Sequence, residues 1–269
     1  MGKEIKCKEY FDNGKLEFEG EYLNGKRNGK GKEYYDGKLI FQGEYLNGEI
    51  NGKGKEYYYN NNELIFEGEY LNRKRNGKGT EYYNGKLIFQ GEYLNGEKNG
   101  KGKEYYYNNG ELIFEGEYLK GKRWNGKGKE YYENGKLEFE GNYLNGKRNG
   151  KGKEYNYYGK LIFEGDYLNS KRNGKGKEYY YNGKLKFNGV YLDGKKWNGK
   201  GKEYYYDNLL FKEENLIGKE NNFNELIFEG EFLNGKRWNG KGKEYNNKGE
   251  IIFEGIYLNG KRLIMKDLW

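Results

Sequence analysis

Residues 16–35 read LEFEGEYLNGKRNGKGKEYY, and this stretch decides the fold. In its first half, Leu16, Phe18 and Tyr22 alternate with glutamates, which is the period of two expected of a β-strand with one apolar face. The second half, KGKEYY, is short and aromatic, and turn residues such as Asn-Gly and Asp-Gly bound it on both sides. The stretch therefore predicts two strands joined by a tight turn, which is a β-hairpin.

The same stretch recurs about every 24 residues, in eleven copies of which one is degenerate. The pattern predicts a single repeat array over residues 1–269, with an N-terminal half-repeat or cap at 1–15, eight regular repeats at 16–208, a degenerate repeat at 209–224, the last repeats at 225–262 and a C-terminal cap at 263–269. Two points stay open. The degenerate copy is either a hinge or a damaged repeat, and the last residues are either a cap or a docking tail.

The repeat predicts an all-β protein without a helical domain. A helix would have to tolerate two or three glycines per turn, and each costs about 1 kcal/mol relative to alanine. Two strands per copy give about 21 strands, which we expect to form an elongated, single-layer antiparallel array of hairpins. Strict alternation would place Tyr34 on the same side as Lys30 and Lys32, so we expect a bulge somewhere in the second strand.

A comparison of the copies separates required glycines from replaceable ones. Both glycines of Asn-Gly-Lys-Gly, such as Gly29 and Gly31, recur in every complete copy, whereas Arg73 and Ser170 replace the turn glycine that follows Leu-Asn. A position without a Cβ leaves room for a neighbouring aromatic ring or permits a positive φ. We therefore expect the first pair to be structurally required and the turn glycine to be replaceable.

The composition argues against catalysis. The absence of histidine excludes a Ser-His-Asp triad and imidazole metal ligands, and the single cysteine, Cys7, cannot form a disulfide or a zinc-thiolate cluster. Ser170 is the only serine and Thr80 the only threonine, so hydroxyl nucleophiles are scarce as well. We expect a protein that is not an enzyme and that uses no cofactor and no metal.

Charge and hydropathy predict where the chain resides. Lys and Arg number 50 against 42 Asp and Glu, so the formal net charge of +8 is a mild bias within a mixed surface. No apolar run approaches the roughly 18 residues of a membrane-spanning helix, and the first residues lack the apolar core of a secretory signal. We expect a cytoplasmic location, at most peripheral to a membrane.

The block Phe18-Glu19-Gly20-Glu21-Tyr22, followed by a turn glycine and by Gly29 and Gly31, resembles the MORN repeat. The resemblance extends over nearly the whole chain. Tyrosine replaces the usual tryptophan, and asparagine, as at Asn28, replaces the usual histidine before Gly-x-Gly. Segments such as 131–137 also resemble the bacterial MORN-variant repeats described as antitoxin-like. The resemblance implies an elongated antiparallel meander of hairpins that acts as a scaffold, a dimerisation module or a lipid-contacting module.

Paired basic residues follow the Tyr-Leu step in eight copies and should lie along one edge of the sheet, and three of these loops also carry a tryptophan. The candidate partner or lipid surface consists of Lys26, Arg27, Lys74, Arg75, Lys122, Arg123, Trp124, Lys147, Arg148, Lys171, Arg172, Lys195, Lys196, Trp197, Lys236, Arg237, Trp238, Lys261 and Arg262. An acidic leaflet would attract each basic residue by about 1 kcal/mol. Both features also have a purely structural interpretation. The lysines would form a solvated edge that resists aggregation, and the tryptophan rings would pack over their own hairpins.

These observations favour two functional hypotheses. The first is a non-enzymatic scaffold that binds another protein, or a second copy of itself, through an edge or a face. The alternative is peripheral binding of anionic membrane lipids, such as phosphoinositides, through the basic loops. Nucleic acid is a less favoured partner, because interspersed glutamates weaken the positive field and no known nucleic-acid-binding module is present.

Overall fold

The computed structural model describes residues 5–204, 226–246 and 250–264. These residues form 21 β-strands and no helix, so the predicted all-β class and strand number are confirmed. The degenerate repeat predicted at 209–224 lies outside the described residues, as do residues 265–269 of the predicted C-terminal cap.

The chain divides into two compact units, one of residues 1–128 and 143–146 and the other of residues 129–142 and 147–269. The strands are β1 (Ile5–Tyr10), β2 (Leu16–Leu23), β3 (Lys26–Tyr35), β4 (Lys38–Leu46), β5 (Glu49–Tyr57), β6 (Leu64–Leu71), β7 (Lys74–Tyr83), β8 (Lys86–Leu94), β9 (Glu97–Tyr105), β10 (Leu112–Leu119), β11 (Lys122–Tyr131), β12 (Leu137–Leu144), β13 (Lys147–Tyr155), β14 (Leu161–Leu168), β15 (Lys171–Tyr179), β16 (Leu185–Leu192), β17 (Lys195–Tyr204), β18 (Leu226–Leu233), β19 (Lys236–Tyr245), β20 (Ile251–Leu258) and β21 (Lys261–Leu263). In the first unit β1 to β11 pair in chain order, and in the second β13 to β21 do so, always antiparallel.

The tight turns between strands use left-handed backbone conformations. Asn24 and Gly25, which join β2 to β3, have φ values of 50° and 74°, the pattern of a two-residue hairpin turn. Arg73 and Ser170 stand in place of the second turn residue and keep a positive φ, at 63° and 66°. The expectation that this glycine is replaceable is therefore met, although an L-residue in this conformation carries some backbone strain.

The expected bulge lies in the second strand of the hairpin, at its beginning. Gly20 of β2 pairs with Gly31 of β3, and Tyr22 pairs with Arg27, so three residues of β3 lie opposite the single Glu21. This bulge does not move Tyr34, whose hydroxyl donates to the Glu19 carboxylate at 2.7 Å and which stays on the face of the charged side chains. The parity conflict seen in the sequence disappears because Tyr34 belongs to the polar face.

A row of glycines crosses the sheet of the first unit and carries the core. Each glycine lies opposite the next in the register of the strands, as Gly54 does with both Gly43 and Gly68. The row consists of Gly20, Gly31, Gly43, Gly54, Gly68, Gly79, Gly91, Gly102 and Gly116. The Phe41 ring lies directly on this row, because a Cβ added at Gly54 would be 2.6 Å from Phe41 Cε2.

Aromatic rings form a second ladder above the glycine row. Phe41 contacts Tyr45 of its own strand and Tyr70 of the next repeat, both edge to face, with ring centroids 5.9 and 5.3 Å apart. The same alternation links Phe18 to Tyr22 and Tyr45. These phenylalanines and tyrosines are almost completely buried although no second layer of structure covers them within the unit. Edge-to-face pairs add about 0.5–1.5 kcal/mol each beyond the burial of their area.

We predict that Gly54→Ala destabilises the protein by about 1–3 kcal/mol, because the new methyl group overlaps the Phe41 ring and the packed core cannot expand. Denaturant unfolding followed by circular dichroism measures the change. In a Phe41→Leu background the same substitution should cost clearly less, since the overlapping ring is smaller. Equal costs in the two backgrounds would show that contact with the ring is not the reason for the glycine.

Candidate functional site

The arginines of the basic loops fold back onto the aromatic rings. The guanidinium carbon of Arg75 lies 4.1 Å from the centroid of the Phe66 ring, and the same guanidinium pairs with Glu56 at 2.6 Å and with Glu81 at 3.0 Å. Tyr70 donates its hydroxyl hydrogen to Glu56 at 2.7 Å. Equivalent cation–ring pairs are Arg27–Phe18, Lys98–Phe89, Arg123–Phe114, Arg148–Phe139, Arg172–Phe163, Lys196–Phe187, Arg237–Phe228 and Arg262–Phe253. These cations and their carboxylates form the lid of the aromatic face, and we call this arrangement the Arg/Glu lid.

In most of the basic loops one charge is therefore partly buried and the other is exposed. The first residue of each pair is exposed, and these residues are Lys26, Lys74, Lys122, Lys147, Lys171, Lys195, Lys236 and Lys261. The second residue belongs to the Arg/Glu lid, so that Arg75, for example, is only 23% exposed. In the first unit, two intervening loops carry the exposed acids Glu49 and Glu97 at the position of the first residue. The edge consequently presents about half of the positive charge that the sequence suggested.

The repeated glutamates of the second strands belong to the lid. Glu33, Glu56, Glu104 and Glu203 pair with the lid arginines Arg27, Arg75, Arg123 and Arg237 respectively. The physical reason is the register, which places each of these glutamates opposite a phenylalanine and hence on the aromatic face, as in the pair of Glu56 with Phe41.

Burial and hydrogen bonding shift the pKa values of residues in the lid and on the polar face. Burial alone would raise the pKa of the Glu104 carboxyl, but the bond from Arg123 at 2.8 Å and the positive charge of that residue outweigh it, so the pKa lies below its ordinary value. On the polar face, burial and the bond to Glu19 raise the pKa of Tyr34 to about 12. The lid glutamate thus stays ionised to lower pH in the folded chain than in the unfolded chain.

Each of the three loop tryptophans, Trp124, Trp197 and Trp238, marks a loop where the strand register changes. In loops without tryptophan, Gly20 pairs with the second glycine of Asn-Gly-Lys-Gly, which is Gly31. In the loop of Trp124, Gly116 pairs with the first glycine, Gly126, and only one residue is left over. The loops of Trp197 and Trp238 show the same register. In the loops with the inserted tryptophan, the bulge therefore contains one unpaired residue, whereas in the other loops three residues lie opposite one.

The loop tryptophans contact the following hairpin. The carbonyl oxygen of Trp124 accepts the N–H of Gly146, the turn residue of the next hairpin, at 2.8 Å. A methyl group added at Gly146 would lie 3.8 Å from Cε3 of the Trp124 ring, and one added at Gly260 would lie 3.3 Å from the ring of Trp238. The loop tryptophans thus join consecutive hairpins.

The polar face of the first unit carries an open groove of about 1310 Å³ along β1 to β9. Glycines of the row line it, and lysines from one strand alternate with glutamates or glutamines from the next. Cross-strand pairs such as Lys55–Glu67 at 3.1 Å and Lys32–Glu19 at 3.7 Å balance its charge. Among the described residues, no group of three or more Cys, Asp or Glu side chains is placed to hold a metal ion. We call this surface the Lys/Glu groove.

Sequence reasoning missed the groove, although its signal was present. The residues between Phe and Tyr of the first strand and those around the second Gly of the second strand face the same side, as Glu67 and Lys55 do. The glycine between them has its Cβ direction towards a phenylalanine ring, as Gly54 does towards Phe41, so no side chain projects from that position into the groove. A strand pattern of charge, glycine and charge therefore indicates two rows of charged side chains on the face opposite the aromatic rings.

Comparison with known proteins assigns the family. The model described as MORN repeat matches residues 18–38, 41–63, 66–86, 89–111, 139–156, 163–184 and 228–250, and the model described as MORN repeat variant matches residues 3–24 and 124–145. These segments make up more than half of the chain. The chain belongs to the MORN-repeat family. Both subgroups suggested by the sequence are thus present in it.

Solved structures add little to this assignment. The crystal structures of TcdB2-TccC3-TEV and of TcdB2-TccC3 without its hypervariable C-terminal region each align at 12% identity and a TM-score of 0.21. They cover 95% and 97% of this chain, which spans only 14% and 16% of those chains. No curated protein matches the sequence.

The asparagine that replaces the usual MORN histidine has a structural use. Asn125 accepts the backbone N–H of Asn145, at the turn of the following hairpin, through Oδ1 at 2.9 Å. Asn239 does the same for Asn259 at 2.9 Å. The residue before Gly-x-Gly therefore ties its loop to the next turn, beside the backbone bond that the preceding carbonyl makes.

We predict that the folded protein loses stability as the pH falls below about 4.5, the ordinary pKa of glutamate. Since the lid lowers the folded-state pKa of Glu104, the unfolded chain binds protons first, and the stabilisation is complete above that pH and lost through the lower folded value. Urea unfolding between about pH 7 and pH 3 measures the slope.

Glu104→Gln should lower stability at neutral pH and reduce this acid dependence. Glu115→Gln removes the same formal charge from a carboxylate that is 56% exposed, so it serves as the matched control and should change the slope less. Identical acid profiles for Glu104→Gln and the unmodified chain would contradict the assignment of the lid.

Proposed function

We propose that this MORN-repeat chain is a non-catalytic scaffold that holds an extended segment of a partner protein in the Lys/Glu groove. The observation that carries this proposal is the contrast between the two faces. The aromatic face is closed by the Arg/Glu lid, whereas the polar face offers a groove of about 1310 Å³ lined by alternating charges. MORN repeats are generally associated with binding of proteins or membrane lipids.

The chemistry of the groove suits a polypeptide better than a purely anionic ligand. Strands lie about 4.8 Å apart, so a segment that crosses them meets a lysine row and a glutamate row at regular intervals. A partner with both charge signs can pair with both rows, as Lys55 and Glu67 do within the chain. An anion would gain from the lysines but would be repelled by the glutamates beside them.

Two charge-reversal variants of equal net charge separate the candidate surfaces. The groove variant, Lys53→Glu with Lys78→Glu, changes exposed lysines that line the groove. The edge variant, Lys26→Glu with Lys74→Glu, changes exposed lysines of the basic loops outside it. Each variant is the control for the other, because both alter the chain by four units of charge.

We predict that peptides selected from a displayed random library against the unmodified chain bind the groove variant at least about tenfold more weakly, while the edge variant retains binding. The loss follows from placing like charges opposite each other in the groove. Titration calorimetry at two salt concentrations measures affinity and its screening. Failure to select any peptide, or equal losses in both variants, would contradict the groove as the binding surface.

Peripheral binding to anionic lipids is the second candidate, and the row of exposed lysines at one edge of each unit favours it. No helix among the described residues is long and apolar enough to cross a membrane. We predict that any flotation with phosphatidylserine vesicles falls about tenfold or more in the edge variant and little in the groove variant, since each lysine contributes about 1 kcal/mol. Equal flotation with phosphatidylcholine vesicles, or none with either, would remove this candidate.

A further inference from the structure

The bulge at the start of a second strand captures a carboxylate on the polar face. Glu44 of β4 accepts the backbone N–H of Lys53, in β5, at 2.8 Å. Gly52, the residue before Lys53, has a φ of 108°, and a Cβ at this position would overlap the Glu44 carboxylate. A residue with a side chain would therefore block the bond. The same bond joins Glu21 to Lys30, Glu69 to Lys78 and Glu92 to Lys101.

This capture leaves the lysine side chains of the same bulges without an ion pair. Lys53 lies opposite Glu69 in the strand register, but the Glu69 carboxylate bonds to the backbone of the next strand, β7. By contrast Lys55, two residues further along β5, pairs with Glu67 at 3.1 Å. The bulge lysines of alternate strands line the groove, are exposed and form no ion pair with any described residue, and we call them the free lysine row: Lys30, Lys53, Lys78 and Lys101.

A row of exposed leucines lies beside the free lysine row. Each leucine follows a glutamate of the polar face by two residues in the same strand, so both side chains lie on the same face of the sheet. Leu94, Leu119 and Trp124 line a hollow of about 910 Å³, and Lys78 and Lys101 line the same hollow. The leucines are 39–50% exposed and consist of Leu46, Leu71, Leu94 and Leu119.

Both rows have the same interval. Each row has one member on every second strand, which is an interval of about 9.6 Å at a strand spacing of about 4.8 Å. A polyproline II segment has three residues per turn and advances about 3.1 Å per residue, so it repeats after about 9.3 Å. Over the three intervals of the free lysine row, the two repeats differ by only about 1 Å. A β-strand repeats after two residues, or about 6.6 Å, and does not match.

The glutamates between the lysines disfavour a continuous run of acidic residues. Glu69 lies in β6, between the strands of Lys53 and Lys78. An acidic side chain beside the Glu69 carboxylate would be repelled. Acidic residues at every third position avoid this repulsion, because each of them then lies beside a lysine and the residues beside the glutamates are uncharged.

We propose that the partner segment held in the Lys/Glu groove is a polyproline II stretch with an acidic residue at every third position and an apolar residue next to each acid. The inference rests on the proposed scaffold function and names the class of its partner. The acidic side chains pair with the free lysine row, one per repeat, and the apolar side chains pack against the leucines. A polyproline II segment has no internal hydrogen bonds to break and is already extended, so its ordering on binding costs little.

Synthetic peptides of one composition test the three-residue period. A blocked peptide of four Glu-Leu-Pro triplets is compared with a shuffled peptide in which the four glutamates occupy alternate positions. The order Glu-Pro-Leu is measured as well, because it places leucine on the other side of the acidic row. The better of the two periodic peptides should bind the full-length chain at least about tenfold more tightly than the shuffled peptide, as measured by fluorescence anisotropy.

Two variants of one strand provide the matched test in the protein. Lys101→Gln removes a member of the free lysine row and should weaken binding of the periodic peptide about threefold, and adding Lys53→Gln should raise the loss to about tenfold. Lys103→Gln removes an exposed charge two residues further along β9 that already pairs with Glu115 at 3.1 Å, and should leave binding unchanged. Leu71→Asn should weaken the periodic peptide about threefold but not a periodic peptide with alanine in place of leucine.

The outcomes separate this proposal from the broader one. Equal affinity for periodic and shuffled peptides, or equal losses in Lys101→Gln and Lys103→Gln, would overturn it. It also fails, while the groove proposal stands, if library-selected peptides lose binding in the groove variant but carry no three-residue spacing of acidic residues. Absence of binding by every peptide, selected or designed, contradicts both proposals.

Discussion

The contact between a phenylalanine ring and the backbone of a glycine row is the constraint on which the rest of the structure depends. A single sheet has no second layer to bury its apolar face, so its rings must find cover within the sheet itself. Glycine makes this possible, because the absence of a Cβ at Gly43 and Gly54 lets the Phe41 ring lie on the strands. The edge of each tyrosine and the guanidinium of each lid arginine then close the remaining sides of the ring.

This constraint explains why the basic loops differ from ordinary solvated loops. A ring that lies flat on the backbone leaves its outer face open, and a planar guanidinium covers such a face well. Arg75 can do so only if carboxylates neutralise it in a partly desolvated setting, which Glu56 and Glu81 accomplish. The loop lysine has no such task and remains in solvent. Two adjacent basic residues of the same loop, such as Lys74 and Arg75, thus have different environments.

The sequence was sufficient for the hairpins but not for the directions of all side chains. Alternation around Phe18 and the turn pairs such as Asn24-Gly25 specify strands and turns through local preferences, and both were predicted correctly. The direction of Arg27 depends on the bulge at the start of β3, which is a property of the pairing of two strands. The alternation of side chains between the two faces cannot be followed through such a bulge unless the number of extra residues in it is known. The groove was missed for a related reason, since it forms only where the charged side chains of several paired strands line up on one face.

The same constraint makes each repeat depend on its neighbours. A repeat in this fold is closed only when the next strand supplies a glycine for the ring and a glutamate for the arginine, as Gly79 and Glu81 of β7 do for Phe66 and Arg75. A lid glutamate can also serve two cations at once, since Glu81 pairs with Arg75 at 3.0 Å and with Lys98 of the following repeat at 2.8 Å. Consecutive repeats are therefore joined twice, by the rings that lie on the glycine row and by the charges that cover those rings.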